Sequence, residues 1–167
     1  MYSIVDFSSC LCENDKINLA YEYFKKDFIS TPLYLADCIY INPQSHRKLK
    51  GKEKIFWHIT TRENTISKKR EFDIQRACRI CWIKQIILNY SCQEIKLFYH
   101  REGRVIRLYL WLYGFDFVVI LQKLGKTDSF LVTSFYIDKG YNKKIYQSRY
   151  EDYINKKDSK LKGCEWF

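Results

Sequence analysis

Phe130-Leu131-Val132-Thr133-Ser134-Phe135-Tyr136 is the stretch on which the reading of the chain turns. β-Branched and aromatic residues dominate it, as suits a strand with one or both sides packed. Gly125 to Asp128 supplies a turn before it, and Asp138-Lys139-Gly140 one after it. Thr133, Ser134 and Tyr136 place hydroxyls where a deep strand would carry hydrocarbon, and every buried hydroxyl needs a partner. Either the strand lines a site, or its hydroxyls satisfy neighbouring backbone.

Working outward, Phe117 to Leu121 is apolar on both faces, as expected of a central strand. Ile95 to His100 alternates, Arg101-Glu102-Gly103 reads as a hairpin turn, and Val105 to Leu112 returns. Connections this short make the strands antiparallel neighbours. Past the last turn, Ile145, Tyr146, Tyr150, Tyr153 and Ile154 recur at helical spacing, which predicts a helix over about residues 142–156. Toward the N-terminus, Asn14 is positioned to cap a helix near 15–29, whose stripe is Ile17, Ala20, Tyr21, Phe24 and Phe28 and which Pro32 ends. Leu33 to Ile41 has strand composition, Pro43 to Lys54 is a basic loop, and Thr61 to Glu71 a charged connection. Ile55 to Thr60 reads as a short strand with Phe56, His58 and Thr60 on one face. A second helix, near 73–89, puts Ile74, Ala77, Cys78 and Cys81 inside and Arg76 and Arg79 together outside. The expected fold is α+β: N-terminal helices, a four-stranded antiparallel meander sheet over about 95–137, and a C-terminal helix packed on it. One domain would span 1–167, with about 1–13 and 158–167 peripheral.

An apolar content of 47% with 17% aromatics argues for a folded chain, long enough at 167 residues to bury a core. No apolar run reaches bilayer length, and the first residues lack a basic-then-apolar leader layout, so a cytoplasmic protein without membrane contact is expected. Seven cysteines without paired C-x-x-C clusters, and three scattered histidines, read as reduced thiols with no structural metal and no cofactor. The net charge of +10 is concentrated: residues 47–107 carry +10, residues 139–167 carry +4, and the segments between and before are slightly acidic. A basic middle and tail around a nearly neutral strand region suit a polyanion, with an acidic protein partner as the other possibility.

His58, in an otherwise apolar run beside a basic loop, is the sharpest candidate for chemistry. A neutral imidazole exchanges a proton near pH 7, although a core histidine held by hydrogen bonds is the competing reading. His46 and His100 lie in or beside basic loops and read as surface groups. Arg107 interrupts Val105-Ile106-Arg107-Leu108-Tyr109-Leu110, so it needs an anion beside it: a phosphate, or a carboxylate such as Asp73 or Asp116. Arg104 and Arg107, three apart on a strand, point to opposite sides.

The ordered series Phe56-Trp57-His58-Ile59, Phe72-Asp73-x-x-Arg76-x-x-Arg79-Ile80-x-Trp82, Ile95-Lys96-x-Phe98, Tyr109-Leu110-Trp111, Val118-Val119-Ile120-Leu121, Leu131 to Tyr136 and Arg149-Tyr150-Glu151 resembles a phage- and prophage-associated group of the barnase–EndoU–colicin–RelE superfamily of ribonucleases. The likeness runs from about Tyr23 to Ile154. It implies metal-independent RNA cleavage, to a 2′,3′-cyclic phosphate, by a toxin or phage-conflict effector. The implied catalytic residues are His58, either Arg76 or Arg79, Thr133 and Tyr136. Arg62, Arg70, Lys84, Arg104, Arg107, Lys143 and Lys144 would hold RNA, and an acidic antitoxin or inhibitor is a further implied partner. The chain departs from the pattern after the last strand, where Gly140-Tyr141-Asn142-Lys143 stands in place of an expected histidine. That departure motivates a non-catalytic RNA-binding protein as the alternative.

Overall fold

The computed structural model describes residues 2–167. Helix α1 (Glu13–Phe24) starts one residue before the expected Asn14 cap. The Asp15 carboxylate accepts the Leu11 and Cys12 N–H groups, each at 3.1 Å, and so satisfies donors the helix start leaves free. A π-helical turn, Lys25–Ile29, carries the helix on to bury Phe28. Strands β1 (Tyr34–Leu35) and β2 (Ile39–Asn42) follow, joined through Ala36 and Asp37 at φ 51° and 55°. Strands β3 (Lys48–Leu49) and β4 (Lys52–Glu53) form a small hairpin within the expected basic loop.

Residues Lys54–Thr60 form helix α2, not the expected strand. The alternation of Phe56, His58 and Thr60 misled because Phe56 and Thr60 are also one helical turn apart. Phe56 packs on Tyr21 and Phe24, with ring centroids at 5.1 and 5.7 Å, and Thr60 Oγ1 donates to the Phe56 carbonyl at 2.8 Å. Both are fully buried while His58 is exposed. The expected charged connection is a hairpin of β5 (Thr61–Glu63) and β6 (Arg70–Phe72). The single helix expected at 73–89 is two: α3 (Ile74–Ala77), capped by the Asp73 side chain, and α4 (Ile80–Leu88). The break falls at Arg79, which leaves helical geometry at ψ 12°.

Four long strands come next: β7 (Ile95–Glu102), β8 (Val105–Leu112), β9 (Phe117–Lys123) and β10 (Asp128–Tyr136). The four-stranded antiparallel sheet expected from sequence needs correction. The sheet has six strands in the order β1-β2-β10-β9-β8-β7, and β2 pairs parallel with β10. The parallel ladder joins Tyr40 to Asp128 and Asn42 to Phe130, so it rests on partners some 88 residues apart that no local pattern reveals. Helix α5 (Gly140–Ile154) crosses back over the sheet.

The sheet separates two cores. One face, with Leu108, Leu110, Leu112, Val119 and Leu121, is sealed by α1 and α4. The other carries Phe98, Tyr109, Trp111, Val118 and Ile120 under α5. Val5 and Phe7 near one terminus and Leu161 and Trp166 near the other are buried in the first core, so both ends contribute to it rather than lying at its periphery. No helix among the described residues is long and apolar enough to cross a membrane.

Candidate active site

The register of the long strands fixes what stands on the α5 side, because directly paired residues share a face. Arg107 pairs with His100 and with Gln122, and Gln122 with Phe130, giving the row His100–Arg107–Gln122–Phe130. The next row is Phe98–Tyr109–Ile120–Thr133, and the third Lys96–Trp111–Val118–Phe135. A bulge between Leu131 and Thr133 turns Thr133 to this side and Ser134 to the sealed one. Helix α5 covers only part of the face: Tyr150 meets Phe98, and Tyr146 meets Tyr109, Trp111 and Phe135. His100, Arg107, Gln122, Phe130, Thr133 and Phe135 stay half-exposed.

Between the end of β10 and α5 lies a cleft of ≈ 350 Å³. Its walls include Arg62, Arg76 and Arg149, with Phe135, Tyr136 and Tyr146 among the aromatic lining. Asp138 is its one carboxylate, already bound by Arg62 Nη1 at 2.8 Å, while Arg62 Nε holds Asp73 at 2.8 Å. Arg62 pulls the exposed Asp138 carboxyl below the usual carboxylate range.

Arg76 and Arg70 reach the C-terminal end of α2. Both donate to the His58 carbonyl, at 3.3 and 3.1 Å, and to the Thr61 carbonyl, at 3.2 and 2.9 Å. Two guanidinium groups thereby neutralise the negative end of the helix and take up its free carbonyls. Arg76 also lies 6.0 Å from the Phe135 ring; it meets His58 at the backbone carbonyl, and the His58 side chain is not among the groups lining the cleft. The Arg76 Nε is buried without a hydrogen-bond partner, with an Asp73 oxygen 3.9 Å away, and burial lowers its pKa. Partial enclosure of the ring, then the Arg70 and Arg76 charges, lower the pKa of His58, while the residue as a whole stays exposed.

The other sequence candidates divide by position. Arg79 stacks over Tyr136 at 5.1 Å and Trp82 at 5.2 Å and donates to Gln75, so it braces the cleft wall. Tyr136 lines the cleft, whereas Thr133 lies on the open floor beyond its lining. Lys84 pairs with buried Asp27 at 3.5 Å on the sealed side of the sheet, away from this face. Lys143 pairs with Asp116 at 2.7 Å, Lys144 is exposed on α5, and Arg104 is exposed in the β7–β8 turn. Arg107 finds its anion in Glu102, rather than in Asp73 or Asp116.

Sequence reasoning missed a second polar cluster. Glu102 accepts from both Arg107 and the Tyr109 hydroxyl, and Arg107 Nε donates to Gln122 Oε1 at 3.3 Å. His100 stands opposite Arg107 with its ring 6.0 Å from that of Tyr109. Burial, then the Arg149 charge, lower the His100 pKa. Arg149 lies 5.3 Å over Tyr146 with no carboxylate in ion-pair range among the described residues, and it joins this cluster to the cleft. The available signal was the register: a two-residue turn at Gly103-Arg104 places His100 opposite Arg107.

No family model, curated protein or solved structure matches the chain.

Proposed function

We propose that the protein is an endoribonuclease that binds RNA on the α5-side face and cleaves it by attack of a ribose 2′-hydroxyl. The observation that carries this reading is the meeting of Arg76 and Arg149, the latter unpaired among the described residues, on one open cleft whose single carboxylate is already engaged by Arg62. Such a cleft favours a phosphate, and an arginine fork matches phosphate oxygens. His58 takes the 2′-hydroxyl proton as the 2′-oxygen bonds to phosphorus. The bond from phosphorus to the 5′-oxygen breaks, and that oxygen takes a proton from solvent. Arg76 and Arg149 stabilise charge on the phosphoryl oxygens. The products are a 2′,3′-cyclic phosphate and a 5′-hydroxyl.

A specific observation favours a second reading. Tyr141, where the resemblance implies a histidine, is exposed and engages only Lys139, at 6.0 Å, in ring contacts. A phenol in place of an imidazole is a poor proton shuttle at neutral pH. On that reading the same face binds RNA without cutting it. Incubating purified protein with total RNA in EDTA tests the two: the nuclease reading expects fragments ending in a cyclic phosphate. Intact RNA both in EDTA and with magnesium, alongside salt-sensitive RNA binding, would leave the binding reading.

A further inference from the structure

Resting on the reading of this face as an RNA site, we infer that His100, Glu102, Arg107 and Gln122 form a separate subsite that reads an unpaired base. The cluster lies on the same open face as the arginine cleft but differs from it in chemistry. Arg107 is charge-compensated by Glu102, so the group offers a phosphate little net attraction. What it offers is a mixed set of hydrogen-bonding atoms. Arg107 uses Nη1 on Glu102 and Nε on Gln122, leaving Nη2 to donate outward. Gln122 is held through its Oε1, leaving its amide N–H groups. Each Glu102 oxygen accepts one internal bond and keeps acceptor capacity. A phosphate presents acceptors alone, whereas a base edge presents donors and acceptors together. Half-exposed Phe130, opposite Gln122 in the register, adds an aromatic surface on which a base can rest.

The layout also selects the strand state. From β7 to β10 is three strand spacings, about 14 Å across the sheet. The Arg107 row lies four residues, about 13 Å, along the strands from the Phe135 row. A base at the cluster and a phosphate at the cleft thus lie up to about 20 Å apart, a few nucleotides along one strand. Arg149 stands between them. Helix α5 rises beside this floor, and a base must leave its stack to reach it. In an A-form duplex the major groove is too deep and narrow for side chains, the pairing edges are taken by the opposite strand, and stacked bases offer no face to Phe130. The substrate class is therefore single-stranded RNA or an unpaired loop.

The test uses the full chain and 2′-O-methyl hexanucleotides, which lack the attacking hydroxyl, one for each base, with a hairpin duplex as control. By fluorescence anisotropy, the best hexamer is expected to bind at least about tenfold tighter than the duplex, and the four hexamers to differ by about tenfold. Gln122→Ala, which leaves the Arg107–Glu102 pair in place, should bring the four to within about threefold of one another; Arg107→Gln should do the same. Arg149→Ala should weaken all four alike. Equal affinity for duplex and hexamer, absence of binding, or base preference unchanged in both cluster variants would overturn the subsite. Base preference without cleavage of unmodified RNA would support the subsite and overturn the nuclease reading; cleavage without base preference would do the reverse.

Discussion

Arg76 and Arg149 flank the same cleft but are held in different ways. Arg76 is anchored to two backbone carbonyls and lies near Asp73, so it belongs to the fold as much as to any ligand. Arg149 has only the face of Tyr146 beneath it. The same contrast runs through the basic segment 47–107, where Arg62, Arg70, Arg101 and Arg107 are all engaged internally. Charge counted along a sequence thus overstates charge available to a polyanion. The number of phosphates the face can hold depends on its unengaged cations.

The largest expected effect separates chemistry from scaffold at the anchored end. His58 is exposed, so His58→Ala should leave the melting temperature nearly unchanged. If it is the base, cleavage should fall by ~100- to 10,000-fold, the usual worth of a general acid–base group. Cleavage left intact in the variant would remove His58 from the mechanism and shift attention to His100.

Next comes Arg76→Ala. It strips one of two guanidinium donors from the end of α2, and with Arg70 still on both carbonyls the loss should cost about 0.5–1.5 kcal/mol of stability, read by urea unfolding. Cleavage should fall as well. Arg149→Ala makes the sharper contrast, since it should change stability by less than about 0.5 kcal/mol. Its signature is in salt: the slope of log affinity against log salt should flatten by about 0.7, one phosphate contact on a single strand. Arg149→Ala with an unchanged slope, or Arg76→Ala with unchanged stability, would break the distinction between the two arginines.

Much of the scaffold was legible because it is local. The hairpins of the long strands follow from alternation and short turns, and α5 from its 3.6-residue stripe. The sheet's extent was not, since the parallel ladder of β2 on β10 joins Tyr40 to Asp128 through tertiary packing alone. Helix α2 was hidden for another reason: six apolar or aromatic-flanked residues fit either period, and Phe24 with Tyr21 decided the outcome. At the site, His58 and Arg76 were singled out from sequence, and they stand together through a carbonyl contact. Arg107 was singled out as needing an anion, but its partners Glu102, His100 and Tyr109 were passed over because charged residues near a turn ordinarily face solvent. Only the register reveals that they converge on one side.

The smallest expected effect compares the two ends through their histidines. His58 and His100 both have pKa values lowered from 6.5, so the fold favours the neutral ring in each case. The unfolded chain then binds protons more readily than the native one, and each group's contribution is fully present above pH 6.5. It is lost as pH falls from 6.5 through the lowered native value, and is flat below that. Around His100 the opposing charges are Arg101, Arg149 and Arg107 on one side and Glu102 and Asp152 on the other. Asp27 acts with the opposite sign, because burial raises its carboxyl and acid relieves that cost. Thermal melts across pH 5 to 8 should therefore be read as differences between wild type and His100→Gln or His58→Gln. The His100 difference should be the steeper of the two, since that ring is half-buried while His58 is exposed and screened by solvent. A steeper His58 difference would mean that its imidazole is enclosed near Arg70 and Arg76, and would move it from an accessible base toward a structural role.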